Sequence, residues 1–305
     1  MGCPMKRRDF ITGIAAGALL GLPAPLAAAT RSQIGEYELI SVSDGHLVLP
    51  GSMMFAGLPR QALDPILAAH NVDFNQLMPP CNLALLKGPG VLALFDAGSG
   101  SGFMPSAGRA LDGLAALGIA ADEITHVVLT HAHPDHLWGV LDDFDDMVFA
   151  NAAHLVPAAE WAFWRDPNTV DRIGPARASF AVGAARRLGV IAEQVETVSD
   201  NQEILPGVLA HATPGHTPGH MSFEIRRGGS GILIGGDAIG NAHVAFARPE
   251  WPSGTDQDAD LAARTRRKLL DMLAQDDTQL LGFHLPDGGL GRVERAPGGY
   301  RFVQG

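Results

Sequence analysis

Beyond residue 30 the chain alternates short apolar runs with helical-period segments, punctuated by clusters of Gly and Pro. Residues 38–42 and 46–49 flank Asp44-Gly45, a dipeptide suited to tight turns, and predict a β-hairpin. Residues 50–80 are rich in Pro, Gly and Met around a short helical stretch near 63–70. This segment reads as a flap over a pocket or as a packed surface excursion, and Met53-Met54-Phe55 favours the flap. Residues 82–87 and 91–95 are strand-like and joined by Gly-Pro-Gly. A helix over 106–117 sets Leu111, Leu114 and Leu117 on one face. Residues 124–129 are short, apolar and β-branched, as expected of a strand buried on both faces.

The second half continues in the same way. Short strands are predicted at 147–150 and 154–156, and helices at 158–164 and 176–188. Residues 208–212, 221–225 and 231–234 alternate or run apolar and read as strands. Residues 258–273 form the clearest amphipathic helix, and strands at 280–283, 291–294 and 300–303 close the chain. Strands clustered with helices in two successive halves predict a layered α/β protein, with sheets inside and helices outside. No internal repeat or convincing linker interrupts this pattern, so residues 30–305 read as one domain.

Composition narrows the class. Of 305 residues, 46% are hydrophobic and 18% charged, ordinary for a soluble globular protein. The formal net charge is -11, and no Lys/Arg cluster follows residue 8, which argues against nucleic acid or an anionic membrane as the main partner. A small-molecule substrate stays open, because local charge can oppose the global sign. Lys6-Arg7-Arg8-Asp9-Phe10-Ile11 precedes an apolar stretch to about residue 26 and then Ala27-Ala28-Ala29. Residues 1–29 resemble a twin-arginine export signal, which implies a periplasmic or secreted protein with no membrane partner in its mature form. A general secretory signal and an uncleaved anchor are the alternatives. Cys3 falls in this segment, so Cys81 stands alone in the mature chain and no intramolecular disulfide forms.

The chemistry concentrates in His-Ala-His-Pro-Asp-His at 131–136. His131 and His133 stand at i and i+2 after a strand, so their rings point the same way. Pro134 suits the first position of a helix, whose first turn carries Asp135 and His136. Imidazole nitrogen and carboxylate oxygen suit zinc and similar divalent ions. Four ligand types around one turn crowd a single open ion but suit two. Further candidates follow predicted strands: His216 and His220 in Thr-Pro-Gly-His-Thr-Pro-Gly-His at 213–220, Asp237 in Gly-Gly-Asp, and His284 in Phe-His-Leu-Pro. The remaining histidines, His46, His70, His126, His154, His211 and His243, carry no motif and read as packed or solvated. The acidic run Asp142-Asp143-Phe144-Asp145-Asp146 lacks the glycine and terminal glutamate of a calcium loop and reads as a solvated turn. No Ser–His or Cys–His nucleophile pair is evident.

Taken with Asp96 in Phe-Asp-Ala-Gly, these five motifs in this order resemble the metallo-β-lactamase superfamily. That resemblance implies an αββα sandwich with two divalent metal ions, zinc foremost, at one edge between the sheets. It assigns His131, His133 and His216 to one ion and Asp135, His136 and His284 to the other. Asp237 would bridge the two beside a hydroxide, with Asp135 and Asp237 as the catalytic carboxylates. Asp96 would orient ligands without binding metal, and His220 reads either as a ligand-orienting residue or as merely structural.

Finer likeness points to exported methyl parathion hydrolase-like and lactonase-like members. It rests on Ser-Asp-Gly-His-Leu-Val-Leu-Pro at 43–50, on 95–109, on Ala-Glu-Trp-Ala-Phe-Trp at 159–164 and on 284–303. By that likeness Phe103, Trp164 and Phe180 form an aromatic leaving-group pocket; the alternative is that they are core aromatics. The implied substrate is a lipophilic ester, lactone or phosphotriester, and a homodimer is the implied assembly. Asp237 argues against a β-lactamase, and the absence of a long C-terminal extension argues against a glyoxalase II-like thioesterase. An iron-dependent sulfur dioxygenase-like protein and a non-catalytic periplasmic metal-binding protein are the readings from other classes.

Overall fold

The structure, a computed structural model, describes residues 30–276 and 278–305; the export segment read over 1–29 lies outside them. Two seven-stranded sheets are each built from consecutive strands. The first holds β1 (Arg31–Ile34), β2 (Tyr37–His46), β3 (Pro80–Gly88), β4 (Val91–Phe95), β5 (His126–Val128), β6 (Ala153–Pro157) and β7 (Val195–Val198), side by side in chain order. The second holds β8 (Glu203–Leu205), β9 (Val208–Ala212), β10 (Met221–Arg227), β11 (Ser230–Gly236), β12 (Gln279–Gly282), β13 (Leu290–Ala296) and β14 (Gly299–Gln304). Strands β4 to β7 are parallel, as are β11 and β12; the other pairs are antiparallel.

Apolar packing explains the layers. Between the sheets, Leu39, Leu86 and Phe95 of the first meet Val208, Phe223 and Ile234 of the second. The outer face of the first sheet packs Leu83, Leu85 and Leu94 against Leu114, Ala184 and Leu188 of the helices Ala110–Ala116 and Ala178–Val190. The outer face of the second packs Leu233 and Leu280 against Leu269, Leu270 and Leu273 of the helix Ala259–Asp276. Strands β3 and β4 face apolar layers on both sides, which is why their sequences run apolar without alternation. The result is the αββα sandwich. Among the described residues no helix is long and apolar enough to cross a membrane.

Three expectations change. Residues 38–49 are not a hairpin: β2 runs unbroken through Asp44-Gly45, and the tight turn lies earlier, between β1 and β2. Asp44 is fully buried, and its carboxylate accepts the backbone N–H groups of Ser99, Gly108 and Ala110 at 2.8, 3.2 and 2.8 Å. Gly45, at φ 95, lets the strand pass against Ser106, whose carbonyl oxygen would lie 2.2 Å from a Cβ there. The second change is Leu111, which is exposed on its helix while Leu114 enters the core. The third is the strand expected at 147–150, which is only a bridge between Leu141 and Met147, although Phe149 is buried.

Residues 50–80 combine both readings of them. Met54, Phe55, Leu63, Leu67 and Leu77 form a small core with Val244, while Met54 and Met78 also line a cavity that ends at His284.

His154 is buried in β6, and burial holds its imidazole down to about 4. The folded value lies below the unfolded one of about 6.5, so the stabilisation is present above that pH and is lost as pH falls towards 4. Acidification from pH 7 to 5 therefore removes on the order of 2 kcal/mol through this residue. Urea midpoints at the two pH values should show a shallower loss in His154→Leu than in the parent chain; equal losses would refute the assignment.

Candidate metal centre

The site forms where strands of both sheets end. Asp96 follows β4, residues 129–136 follow β5, Asp237 follows β11 and His284 follows β12. The loop carrying His216 and His220 joins β9 to β10. Pro134 opens a single helical turn, Pro134–Leu137, with Asp135 and His136 both buried in it. Gly236 is needed for a close approach: at φ 51, a Cβ there would lie 2.7 Å from His220 Nε2 and 3.0 Å from Thr130. Without a side chain the strand end tucks between the sheets and aims Asp237 inward.

Seven side chains converge in two groups. His131, His133 and His216 make one; Asp135, His136, Asp237 and His284 make the other; within each group the donor atoms lie within 4.8 Å of one another. Asp237 joins them, with one oxygen 3.3 Å from His136 Nε2 and the other 3.3 Å from both His216 Nε2 and His284 Nε2. Ligand bonds of about 2.0–2.1 Å around a tetrahedral ion set neighbouring donors about 3.3 Å apart. The carboxylate–imidazole separations here are 3.3–3.5 Å. Furthermore, His131 Nε2, His136 Nε2 and Asp237 Oδ1 are buried without a hydrogen-bond partner. Such orphaned atoms are costly unless a cation answers them. The donor set fits two divalent ions.

The opposite ring nitrogens are held in place. His136 Nδ1 stands 2.8 Å from Asp96, His216 Nδ1 3.0 Å from Asp256, and His284 Nδ1 2.8 Å from the Pro80 carbonyl oxygen. His131 Nδ1 lies 3.1 Å from Thr130 Oγ1. Each contact turns the Nε2 of its ring into the donor groups, where His216 Nε2 also stands 2.9 Å from His133 Nδ1. Asp96, at φ 63, also accepts the Thr130 N–H at 2.7 Å, so it ties β4 to the histidine turn. His220 contributes differently: its Nε2 accepts the Asp237 N–H at 2.9 Å and its Nδ1 faces Thr213 Oγ1 at 2.8 Å. Burial holds His220 down to about 3, so the ring stays neutral and its Nε2 remains an acceptor.

Electrostatics separate the two groups. Burial first, then neighbouring rings, pushes His131 and His133 well below the ordinary histidine value, leaving them neutral. Burial also disfavours charge on His136 and His284, but carboxylates overcome it and hold both well above that value. Asp96, Asp135 and Asp237 act on His136, and Asp237 and Asp135 on His284. A field that favours imidazolium favours a metal cation equally.

The aromatic residues divide. Phe180 packs edge-on to His133 with centroids 5.8 Å apart, and Phe103 stands 6.2 Å from Phe180; both are half-buried. Trp164 is fully buried and its indole N–H donates to Glu160, so it is a core residue behind His133 and offers no open face. Sequence reasoning missed Asp256, which no motif marks. It also saw no Cys–His pair, yet Cys81 contacts His284; burial pushes that thiol up to about 11, which suits packing and not nucleophilic attack.

An αββα sandwich whose strand ends gather buried histidines and carboxylates into two adjoining donor groups defines a class, the metallohydrolases of this architecture. The pattern of the metallo-beta-lactamase superfamily matches residues 79–284, and the chain belongs to that superfamily. It is similar to the crystal structure of the hydrolase AbOPH, with TM-score 0.84 and 26% identity over 92% of this chain and 98% of that one. It is equally similar to AidC, a dizinc quorum-quenching lactonase in complex with a product, with TM-score 0.85, 26% identity and the same coverage. Among curated sequences, the N-acyl homoserine lactonase AttM of Azorhizobium caulinodans is 29% identical over 193 residues, 61% of this chain. The uncharacterized protein YobT of Bacillus subtilis is 30% identical over 145 residues. The matches span 66% of AttM's and 59% of YobT's own length.

Removing the carboxylate behind His216 should weaken metal retention. Asp256→Ala is expected to lower zinc affinity about 10–100-fold, read by competition with a chelator; unchanged affinity would show that Asp256 does not orient the ring.

Proposed function

We propose that this chain is a dinuclear metal-dependent hydrolase acting on a lipophilic lactone or ester. The observation that carries the reading is Asp237, whose two oxygens reach both donor groups. When bound, the ion pair supplies Lewis acidity and a water acidified towards neutrality. Asp96 and Asp256 hold His136 Nδ1 and His216 Nδ1, so the Nε2 atoms are the ones turned toward the ions. His220 holds the Asp237 backbone and with it the joint between the two groups. Burial of all seven donors keeps bulk water from competing.

One cavity of about 200 Å³ adjoins the donors, lined by Met54, His70, Leu77, Met78 and His243 and including His284; on the other flank Phe103 and Phe180 stack beside His133. Apolar walls on both flanks suit a substrate with a lipophilic arm on either side of its reacting carbonyl. Likeness to AidC and AttM supports a lactone first. The aromatic flank supports an aryl ester or aryl phosphotriester as a second reading.

The test is steady-state turnover of N-acyl homoserine lactones, aryl carboxylic esters and aryl phosphotriesters by zinc-loaded protein. At least one class should be hydrolysed, and His131→Ala should lower kcat/KM by about 10³-fold or more. Turnover that survives His131→Ala, or a panel left untouched, sinks the reading. We also propose that residues 1–29 are an export address. N-terminal sequencing of periplasmic protein should begin at Thr30, and intact chains confined to the cytoplasm would refute it.

A further inference from the structure

Glu160 lies in the helix Ala158–Arg165, is fully buried, and touches none of the seven donors. Its carboxylate accepts four hydrogen bonds. Oε2 takes the Ala132 N–H at 3.1 Å and the indole N–H of Trp164. Oε1 takes the Thr217 hydroxyl at 2.5 Å and the Gly219 N–H at 2.8 Å.

The placement of these donors is informative. Ala132 sits between His131 and His133, on the loop from the first sheet. Thr217 directly follows His216, on a loop of the second sheet. Trp164 packs its ring edge-on to His133, with centroids 5.8 Å apart. One carboxylate thus holds residues adjacent to all three members of the first donor group, through the Ala132 N–H and the Thr217 hydroxyl, and none adjacent to a member of the second. Gly219 permits the approach, since a Cβ there would lie 2.2 Å from the Glu160 amide nitrogen. All four partners are N–H or O–H donors, so a group that only accepts is required. A glutamine would turn its NH₂ against two of them and leave buried donors unmet.

We propose that Glu160 is a positioning residue that sets the spacing of His131, His133 and His216 across the two sheets, and so tunes affinity at the first ion position alone. This rests on the two-ion reading. A residue that served only general stability would weaken both positions together.

The experiment measures zinc per chain by elemental analysis after dialysis of the loaded protein against graded chelator. Glu160→Gln should keep one ion where the parent chain keeps two, with the lost ion bound about 10–100-fold more weakly. Adding His284→Ala to Glu160→Gln should remove the remaining ion, while adding His131→Ala should leave it. Glu160→Asp, which keeps an all-acceptor group, should recover part of the loss. If circular dichroism shows that Glu160→Gln does not fold, Thr217→Val decides: the first ion should be about tenfold weaker for loss of one bond to a carboxylate. Retention of both ions at parental affinity in either folded variant, or parallel loss of both, overturns the proposal. Fewer than two ions in the parent chain would overturn the two-ion reading itself, and the clamp with it.

Discussion

Three buried carboxylates, Asp96, Asp135 and Asp237, set the terms for the rest of the molecule. Their ion-pair partners are imidazoles, and an isolated buried carboxylate is too costly to persist. Three histidines, His136, His216 and His284, must therefore reach one small volume with defined ring orientation, beside the neutral His131 and His133, and each needs a partner for its other nitrogen. Strand ends provide the reach, because they fix the first residues of a loop to within the tolerance of the sheet. Asp256, the Pro80 carbonyl and Thr130 provide the orientation.

The parts of this that the sequence disclosed are those set by local rules. The histidine turn, the strand-end placement of Asp237 and His284, and the long strands with apolar faces all follow from spacing and periodicity. The three strands that periodicity did not predict, β1, β7 and β8, are sheet edges. Such edges are short and half-solvated, so β7 shows exposed Glu196 and Thr197 where a pattern would be sought. Asp44-Gly45 misled for a different reason. Its residue types suit a turn, but tertiary contacts use the carboxylate as an anchor for three amides and the glycine for a close approach. Glu160 and Asp256 were invisible because their roles exist only once distant loops meet. A glutamate on an amphipathic helix carries no sign of what it will hold.

Chemistry and selectivity are supported by different parts of the chain. The donor groups stand on strand ends of the two sheets, which pack against each other through a continuous apolar core. The cavity beside them draws on residues 50–80, and the aromatic flank on Phe103 and the helix Ala178–Val190, which lie outside that core. Loops and peripheral helices can change without moving the donors, so selectivity can vary on a fixed donor frame.

Each sheet is made from an unbroken stretch of chain, the first ending at Val198 and the second starting at Glu203. Pairing within either sheet is consequently achievable before the two halves meet. Neither half alone owns a complete donor group: His216 comes from the second and its two companions from the first, while Asp135 and His136 come from the first and Asp237 and His284 from the second. On the two-ion reading, capture of either ion at a complete donor group would therefore require the two halves to be docked. A bound pair would act as a rivet between the two halves, and its loss would loosen the seam before it loosened either sheet.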